Sequence, residues 1–332
     1  MRLTGCAAGT CLLLWTLPAH AHHGVAAISV AGPEGPGAAV ETTSPLPLPV
    51  GMGFAMLKSE TVRFQKFTYA EPTNKDESVF NMLGLGYGLR PWFAVYLFQP
   101  FNVKCQEDAG CNAGLGDTSL MLSLGFKYDE GLRLVPEKES LDELFDWHFS
   151  VWLAPTFPLG PTERKDRQGN PFSPDMQTGF GSPSAAVGVA VMKQLSDDFT
   201  WLADSTYHYF LPHSYSWTRY QFGPEARVDT ALGVRVVGRR AFRADVIAEL
   251  GGLNLWRDRA RDSSGVMQPQ SASGGAILYS SLGMRFFFGP FSAALGIKRA
   301  VLKDLNEGYN QQGSEGLEAF RATATLSYAR KI

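Results

Sequence analysis

No stretch of the 332 residues is apolar for long enough to make a spanning helix. Such a helix needs about 20 consecutive apolar residues, so a helical membrane protein is excluded. A surplus of positive charge is missing too. Thirty Lys and Arg stand against 32 Asp and Glu, a net charge of −2, which gives no reason to expect a nucleic-acid partner. Cysteine is scarce: four residues, two of them (Cys6 and Cys11) within the first 21. No G-x-S-x-G, P-loop, C-x-x-C or H-E-x-x-H occurs. The commonest sequence signals of hydrolases, NTPases, redox proteins and zincins are therefore absent. Mean hydropathy is −0.09, and only 19% of residues are charged.

What is present begins with an export signal. "MRLTGCAAGTCLLLWTLPAHA" has one basic residue, Arg2, then an apolar run from about Cys6 to Leu17. Pro18 breaks the run, and Ala19-His20-Ala21 fits a small-x-small cleavage site. Residues 1–21 are read as a signal peptide. His22 and His23 would then open the mature chain, a weak candidate for copper- or nickel-like ions. Residues 22–49, rich in Pro, Gly and Ala, read as an extended segment and a candidate plug. Cys105 and Cys111 have five residues between them. In an oxidising compartment they are expected to form a local disulfide.

From residue 50 onward the chain alternates apolar and polar positions, with a period of two. Twelve segments show it, at about 50–68, 79–89, 92–103, 115–128, 146–158, 181–194, 199–211, 221–237, 241–256, 274–288, 291–303 and 317–330. In 118–128 the even positions carry Thr, Leu, Leu, Leu, Phe and Tyr. The odd positions 117–127 carry Asp, Ser, Met, Ser, Gly and Lys. In 221–236, Phe222, Ala226, Val228 and Leu232 fall on one face and Arg227, Asp229 and Arg235 on the other.

The connections alternate as well. "LRP", "SDD", "GRR" and "GP" are short; 69–78, 104–114, 159–180, 212–220, 257–273 and 304–316 are long and polar. An outer-membrane barrel places tight turns in the periplasm and long loops outside. An even strand count returns both termini to the same side, and closure removes the open edges that lipid forbids. Tyr and Trp gather near segment ends, as aromatic girdles require. Only residues 129–145 break the rhythm, a long periplasmic connection in which "ESLDELF" suggests one or two helical turns. The expected fold is all-β: a closed antiparallel transmembrane barrel of about 12 strands over 50–332. A soluble all-β protein with an aromatic core is the alternative.

Several stretches resemble one known family. "GLGDTSLMLSLGFKYD" (114–129) resembles a Gly-x-Gly-Asp segment and the strand after it in an outer-membrane transporter family named for the meta-pathway of phenol degradation. "LGLGYGLRPWFAVYLFQPF" (83–101), "FPLG" (157–160) and "TGFGSPSAAVGVAVMKQLSDDFTW" (178–201) are similar to its neighbouring hairpins and loop. The "AHHGVAAISVAGPEGPGAAVETTSPLPLP" opening resembles a subgroup of it. The resemblance implies an outer-membrane barrel passing small organic molecules, and it brings no catalytic residues.

The candidate lumen face collects Asp117, Lys127, Arg227, Asp229, Arg235 and Arg243. It continues with Asp245, Glu249, Arg285, Lys298 and Arg321. Both signs occur, so these groups either neutralise each other or set the charge preference of a path. Asp117 could pair with a lumen cation or stabilise a turn. A barrel of this size suggests a narrow or gated path. The expected partners are membrane lipid, a small-molecule solute and the barrel-assembly machinery; no cofactor is implied, and the oligomeric state is open. A structural or adhesive barrel, metal-related transport and a lipid hydrolase are the other readings. For the hydrolase, His213 with Ser214 and His208 near Ser205 are the candidate pairs.

Overall fold

The computed structural model describes residues 39–64, 77–106, 110–137, 145–239, 241–271, 273–306 and 318–332. The signal peptide, His22 and His23 lie outside them, as does all of "ESLDELF" but its last residue.

The first six wall strands are β1 (Met52–Phe64), β2 (Glu77–Arg90), β3 (Phe93–Gln106), β4 (Thr118–Tyr128), β5 (Trp147–Phe157) and β6 (Ser184–Gln194). The second six are β7 (Phe199–Phe210), β8 (Glu225–Arg239), β9 (Phe242–Leu255), β10 (Gly275–Phe288), β11 (Phe291–Leu305) and β12 (Glu318–Lys331). Each strand pairs antiparallel with the next, and β12 returns to β1, from Met52↔Lys331 to Phe64↔Glu318. The barrel is closed, with twelve strands.

Alternation decides which side chains meet lipid, because successive side chains of a strand point to opposite faces. On β4, Ser119, Met121, Ser123 and Lys127 are buried while Leu124 and Tyr128 are exposed. On β11 and β12, Leu295 (56% exposed) and Leu326 (53%) look outward, and Lys298 and Arg321 look inward. The exterior is a band of leucine, valine and isoleucine. Aromatics flank it, with Trp147 against Trp201 near one rim and Tyr207 against Trp256 near the other. Such a surface is costly in water and satisfied in lipid. No helix among the described residues is long and apolar enough to span a membrane, and crossing is by strands.

Three local features differ from the sequence reading. Phe222 does not join the outward face of β8. It precedes the strand and packs with Phe210, Tyr215 and Tyr220 in an aromatic cluster of the loops. Strand β4 has a forerunner, Gly110–Leu115, paired with β3 and separated from it by Gly116 and Asp117. Gln99 bridges that break, donating to the Gly116 carbonyl at 3.0 Å and accepting from Thr118 at 2.6 Å. Finally, the long connection between β4 and β5 contains a short strand, Leu132–Leu134, that folds back on Phe126–Tyr128. Strand β3 reaches only as far as Phe93, opposite Leu124. The returning strand supplies the backbone partners that β3 no longer offers to the end of β4.

Long loops meet on the opposite rim. His213–Ser214, Arg219–Gln221, Arg259–Arg261 and Met267–Pro269 form a separate four-stranded sheet there. Asp258 ties it down, accepting from the Tyr220 hydroxyl and from the Gly223 N–H at 2.7 Å. Burial and the Asp258 carboxylate hold the Tyr220 hydroxyl well above its ordinary range, so it stays protonated and donates. Cys105 and Cys111, directly opposed in the β3 hairpin, form a disulfide with Cα atoms 4.1 Å apart.

Candidate functional site

Residues 39–48 lie inside the ring of strands. Ala39, Val40, Thr42, Thr43 and Leu48 are all buried. Several wall glycines make room for the segment, two of them at the shortest distances. A Cβ on Gly283 would stand 2.5 Å from a Val40 methyl, and one on Gly88 would stand 2.0 Å from the Pro49 carbonyl oxygen. Any side chain at either position would push the segment off the wall.

Polar bonds fix the first half of the segment. The Glu249 carboxylate accepts the backbone N–H groups of Val40 at 2.6 Å, Glu41 at 3.1 Å and Thr42 at 3.2 Å. Three donors on one carboxylate make charge-assisted bonds, roughly twice as strong as neutral ones. Asp204 accepts from the Thr43 N–H at 3.2 Å. Arg285 donates to the Ala39 carbonyl at 2.7 Å. The Glu41 side chain lies 3.7 Å from Lys58 Nζ and 3.6 Å from Lys298 Nζ, and it accepts from Thr323 at 3.1 Å. The second half is mainly apolar: Leu48 packs among Phe54, Met82, Tyr96 and Phe98, and its backbone also hydrogen-bonds the Tyr96 hydroxyl.

Most of the charged residues named from the sequence lie on the inward face. Glu249, Arg285 and Lys298 meet the segment directly. Arg321 reaches Glu60 at 2.9 Å and also pairs with Glu318. Arg243 donates to Asp245 at 2.8 Å. Lys127 pairs with Asp146 at 2.9 Å. Arg227 lies 3.4 Å from Glu225, and Asp229 lies beside it at the wall of the same cavity. Arg235 is half-buried near the Arg239 end of β8. Asp117 stands apart from this group. Its carboxylate accepts from the Gly160 N–H at 2.8 Å and the Phe180 N–H at 2.6 Å, so it ties the long 158–183 connection to the break in β4.

Sequence reading missed Glu41, Lys58, Glu60, Asp204, Glu225 and Glu318. On β1 the inward face runs Phe54, Met56, Lys58, Glu60, Val62, mixing apolar and charged side chains and hiding the contrast between faces. A charge within a strand was the available signal. Ser205 and His208 are an odd number apart on β7 and so face opposite ways. The serine that meets His208 is Ser184, at 2.9 Å, on the neighbouring strand. His213 packs edge-on against Tyr215, with ring centroids 4.5 Å apart. No three His, Cys, Asp or Glu side chains among the described residues are grouped as a metal would require.

Two small cavities lie inside the barrel among the described residues. One cavity of about 40 Å³ lies among Thr43, Trp152, Asp204, Thr206, Glu225 and Asp229. A second of about 10 Å³ adjoins it near Glu249, Tyr279 and Lys298. The first has room for on the order of a few waters.

No family model matches the chain, and no curated protein matches it. Solved structures do. The COG4313 outer membrane channel from Pseudomonas putida F1 is similar with a TM-score of 0.65 and 14% identity, over 86% of this chain and 98% of that one. The TodX monoaromatic hydrocarbon channel deltaS2 mutant (TM-score 0.44, 12% identity, 93% and 99% of the two chains) and the NanC porin (0.44, 7%, 82% and 98%) are too distant to carry an argument. The first likeness shows the fold, which is that of an outer-membrane β-barrel.

Proposed function

We propose that the protein is an outer-membrane channel for passive passage of a small molecule. Its lumen is narrow and lined with charge, and residues 22–49 act as a plug whose inner part is the segment 39–48. One observation carries the reading. An apolar exterior encloses an inward face of paired charges that leaves a small cavity beside the segment. A purely structural barrel has no need to bury so many ionised groups, each expensive to desolvate. The motif resemblance to the transporter family extends the reading to a small organic or aromatic solute. A hydrolase finds less support: the Ser–His contact described above, Ser184 with His208, sits in the buried wall beneath the loop aromatics.

Liposome swelling with sugars, small aromatics and metal salts tests the proposal. The full chain is expected to pass a narrow subset of the panel. A chain lacking 22–49, and Glu249→Gln, which weakens three bonds to the segment, are expected to pass more solutes faster. Equal rates in all three proteins would remove the plug. No uptake of any solute by any of them would remove the channel.

A further inference from the structure

The connection between β5 and β6, residues 158–183, is held on two sides of the long-loop mouth. Its turn Pro174–Met176 is deeply buried, with Asp175, Met176 and Gln177 each 1% exposed. On one side β3 and its hairpin partner grip it. Lys104 Nζ donates to the Asp175 carbonyl at 2.5 Å and to the Gln177 carbonyl at 2.8 Å, and Asn112 Nδ2 donates to the Met176 carbonyl at 2.9 Å. Two side chains thus hold three consecutive carbonyls, and the bonds from Lys104 are charge-assisted. On the other side the connection meets the loop between β7 and β8. Phe180 packs against Phe210 and Phe222, Tyr215 donates to the Phe180 carbonyl at 3.3 Å, and Glu163 accepts from the Ser216 hydroxyl at 2.7 Å. In the ring of twelve, β3 stands four strands from β7 and five from β8, so the connection bridges the opening.

Internal bonds make this bridge one body. Gln177 donates to the Arg164 and Phe172 carbonyls at 3.0 Å each and accepts from the Arg164 N–H at 3.1 Å. The grip on the β3 side has a clasp beside it. Lys104 and Asn112 oppose each other in the ladder, and the next pair outward is Cys105 with Cys111. The disulfide therefore fixes the spacing of the two gripping side chains. It closes over only five intervening residues. The stabilisation that a disulfide gives a whole fold grows with loop length, so the effect here is local. Cys111 is exposed and Cys105 half-buried, which leaves the bond open to a soluble thiol.

We propose that residues 158–183 form a lid over the long-loop mouth, and that the Cys105–Cys111 disulfide is its thiol-reducible latch. A small dithiol supplies the two electrons. One of its thiolates attacks the exposed Cys111 sulfur, and Cys105 leaves as a thiolate and takes up a proton. The second thiol of the reagent then attacks the mixed disulfide and releases Cys111, leaving two cysteine thiols and a cyclic disulfide. With the clasp open, Lys104 and Asn112 separate and the three carbonyls are let go. The lid stands in series with the internal segment 39–48. Its effect on passage rests on the channel reading, and its motion does not.

Hydrogen exchange with and without dithiothreitol tests the lid apart from any transport. Cys105 and Cys111 are the only cysteines beyond residue 21, so the reagent has one target there. In detergent, reduction is expected to speed exchange over 172–178 several-fold and to leave β5 and β6 unchanged. Lys104→Met is expected to do the same without reductant. Cys105→Ser with Cys111→Ser is expected to match the reduced protein and to ignore dithiothreitol. Heat-modifiable migration reports whether each variant holds its barrel, and the reduced unaltered chain carries the test where a variant does not. Unchanged exchange over 172–178 on reduction would overturn the latch. Acceleration spread equally over the wall strands would make the disulfide a brace of the wall and overturn it too. Liposome swelling is then read in Glu249→Gln, whose internal segment is loosened. Reduction is expected to raise its rate several-fold, and equal, measurable rates in both redox states would overturn the lid. No swelling in either state, together with selective exchange at 172–178, would retain the lid and retire the channel.

Discussion

The two ends of the internal segment are held by different physics. Around Leu48 the inward faces of β1 to β3 are apolar, with Phe54, Met82, Tyr96 and Phe98 closing on one side chain. Around residues 39–43 the inward faces of β7 to β11 present Asp204, Glu249, Arg285 and Lys298 to backbone groups and to Glu41. Apolar packing is non-directional and tolerates small slides. Carboxylates bonded to specific N–H groups do not, so the polar end fixes position while the apolar end supplies hold. An incorrectly placed segment would leave Glu249 buried without donors, and that penalty exceeds the gain from any single correct bond.

The comparison can be broken from either side. The largest effect is expected at Arg321, which joins Glu60 and Glu318 across the β12–β1 closure. Arg321→Ala strands buried carboxylates and should cost about 3–5 kcal/mol, read as a fall in the denaturant midpoint of the purified barrel. A loss below 1 kcal/mol would mean that water reaches this network and that its charges are not truly desolvated. Leu48→Ala should cost the segment about 2–5 kcal/mol of retention. Hydrogen exchange over 39–48 then sharpens the contrast. Faster exchange confined to the Leu48 end would show that the polar end holds by itself. Faster exchange throughout would show that the apolar end anchors both. The smallest effect is expected from Thr323→Val, which removes one bond to Glu41 and should cost about 1 kcal/mol in the same denaturant assay. An unchanged midpoint would assign the hold on Glu41 to Lys58 and Lys298 alone.

The architecture was legible in the sequence because lipid enforces it. Outward positions on β4, β11 and β12 must be apolar, and short turns must alternate with long loops. Period and rhythm therefore gave strand count and facing directly. The lumen was legible only where its charges contrasted with an apolar opposite face, as on β8, β9 and β12. It was not legible on β1, where Lys58 and Glu60 share their face with Phe54 and Met56. Glu41 was beyond reach for another reason. It lies in a segment without periodicity, and its meaning depends on Lys58, Lys298 and Thr323, which come together only when the wall closes. The return strand Leu132–Leu134 had no local signal, since its cause is the early end of β3 on the adjacent strand. Asp117 was visible as a motif residue. Its partners, Gly160 and Phe180, are 43 and 63 residues away.

The internal segment also bears on the order in which the molecule is made. It is exported ahead of every wall strand, yet Val40 waits for Glu249, 209 residues later, and Ala39 for Arg285, 246 residues later. Contacts so distant in sequence are slow to form and come late. Until β9 and β10 arrive, the polar end has neither Glu249 nor Arg285 to settle against, although the Leu48 end can already pack on β1 to β3. The two ends of the segment therefore become able to dock at different times. A chain cut short before β9 would lack the bonds that position residues 39–42. Occupancy of the barrel by this end of the segment is therefore a record that the chain was made at least as far as β10.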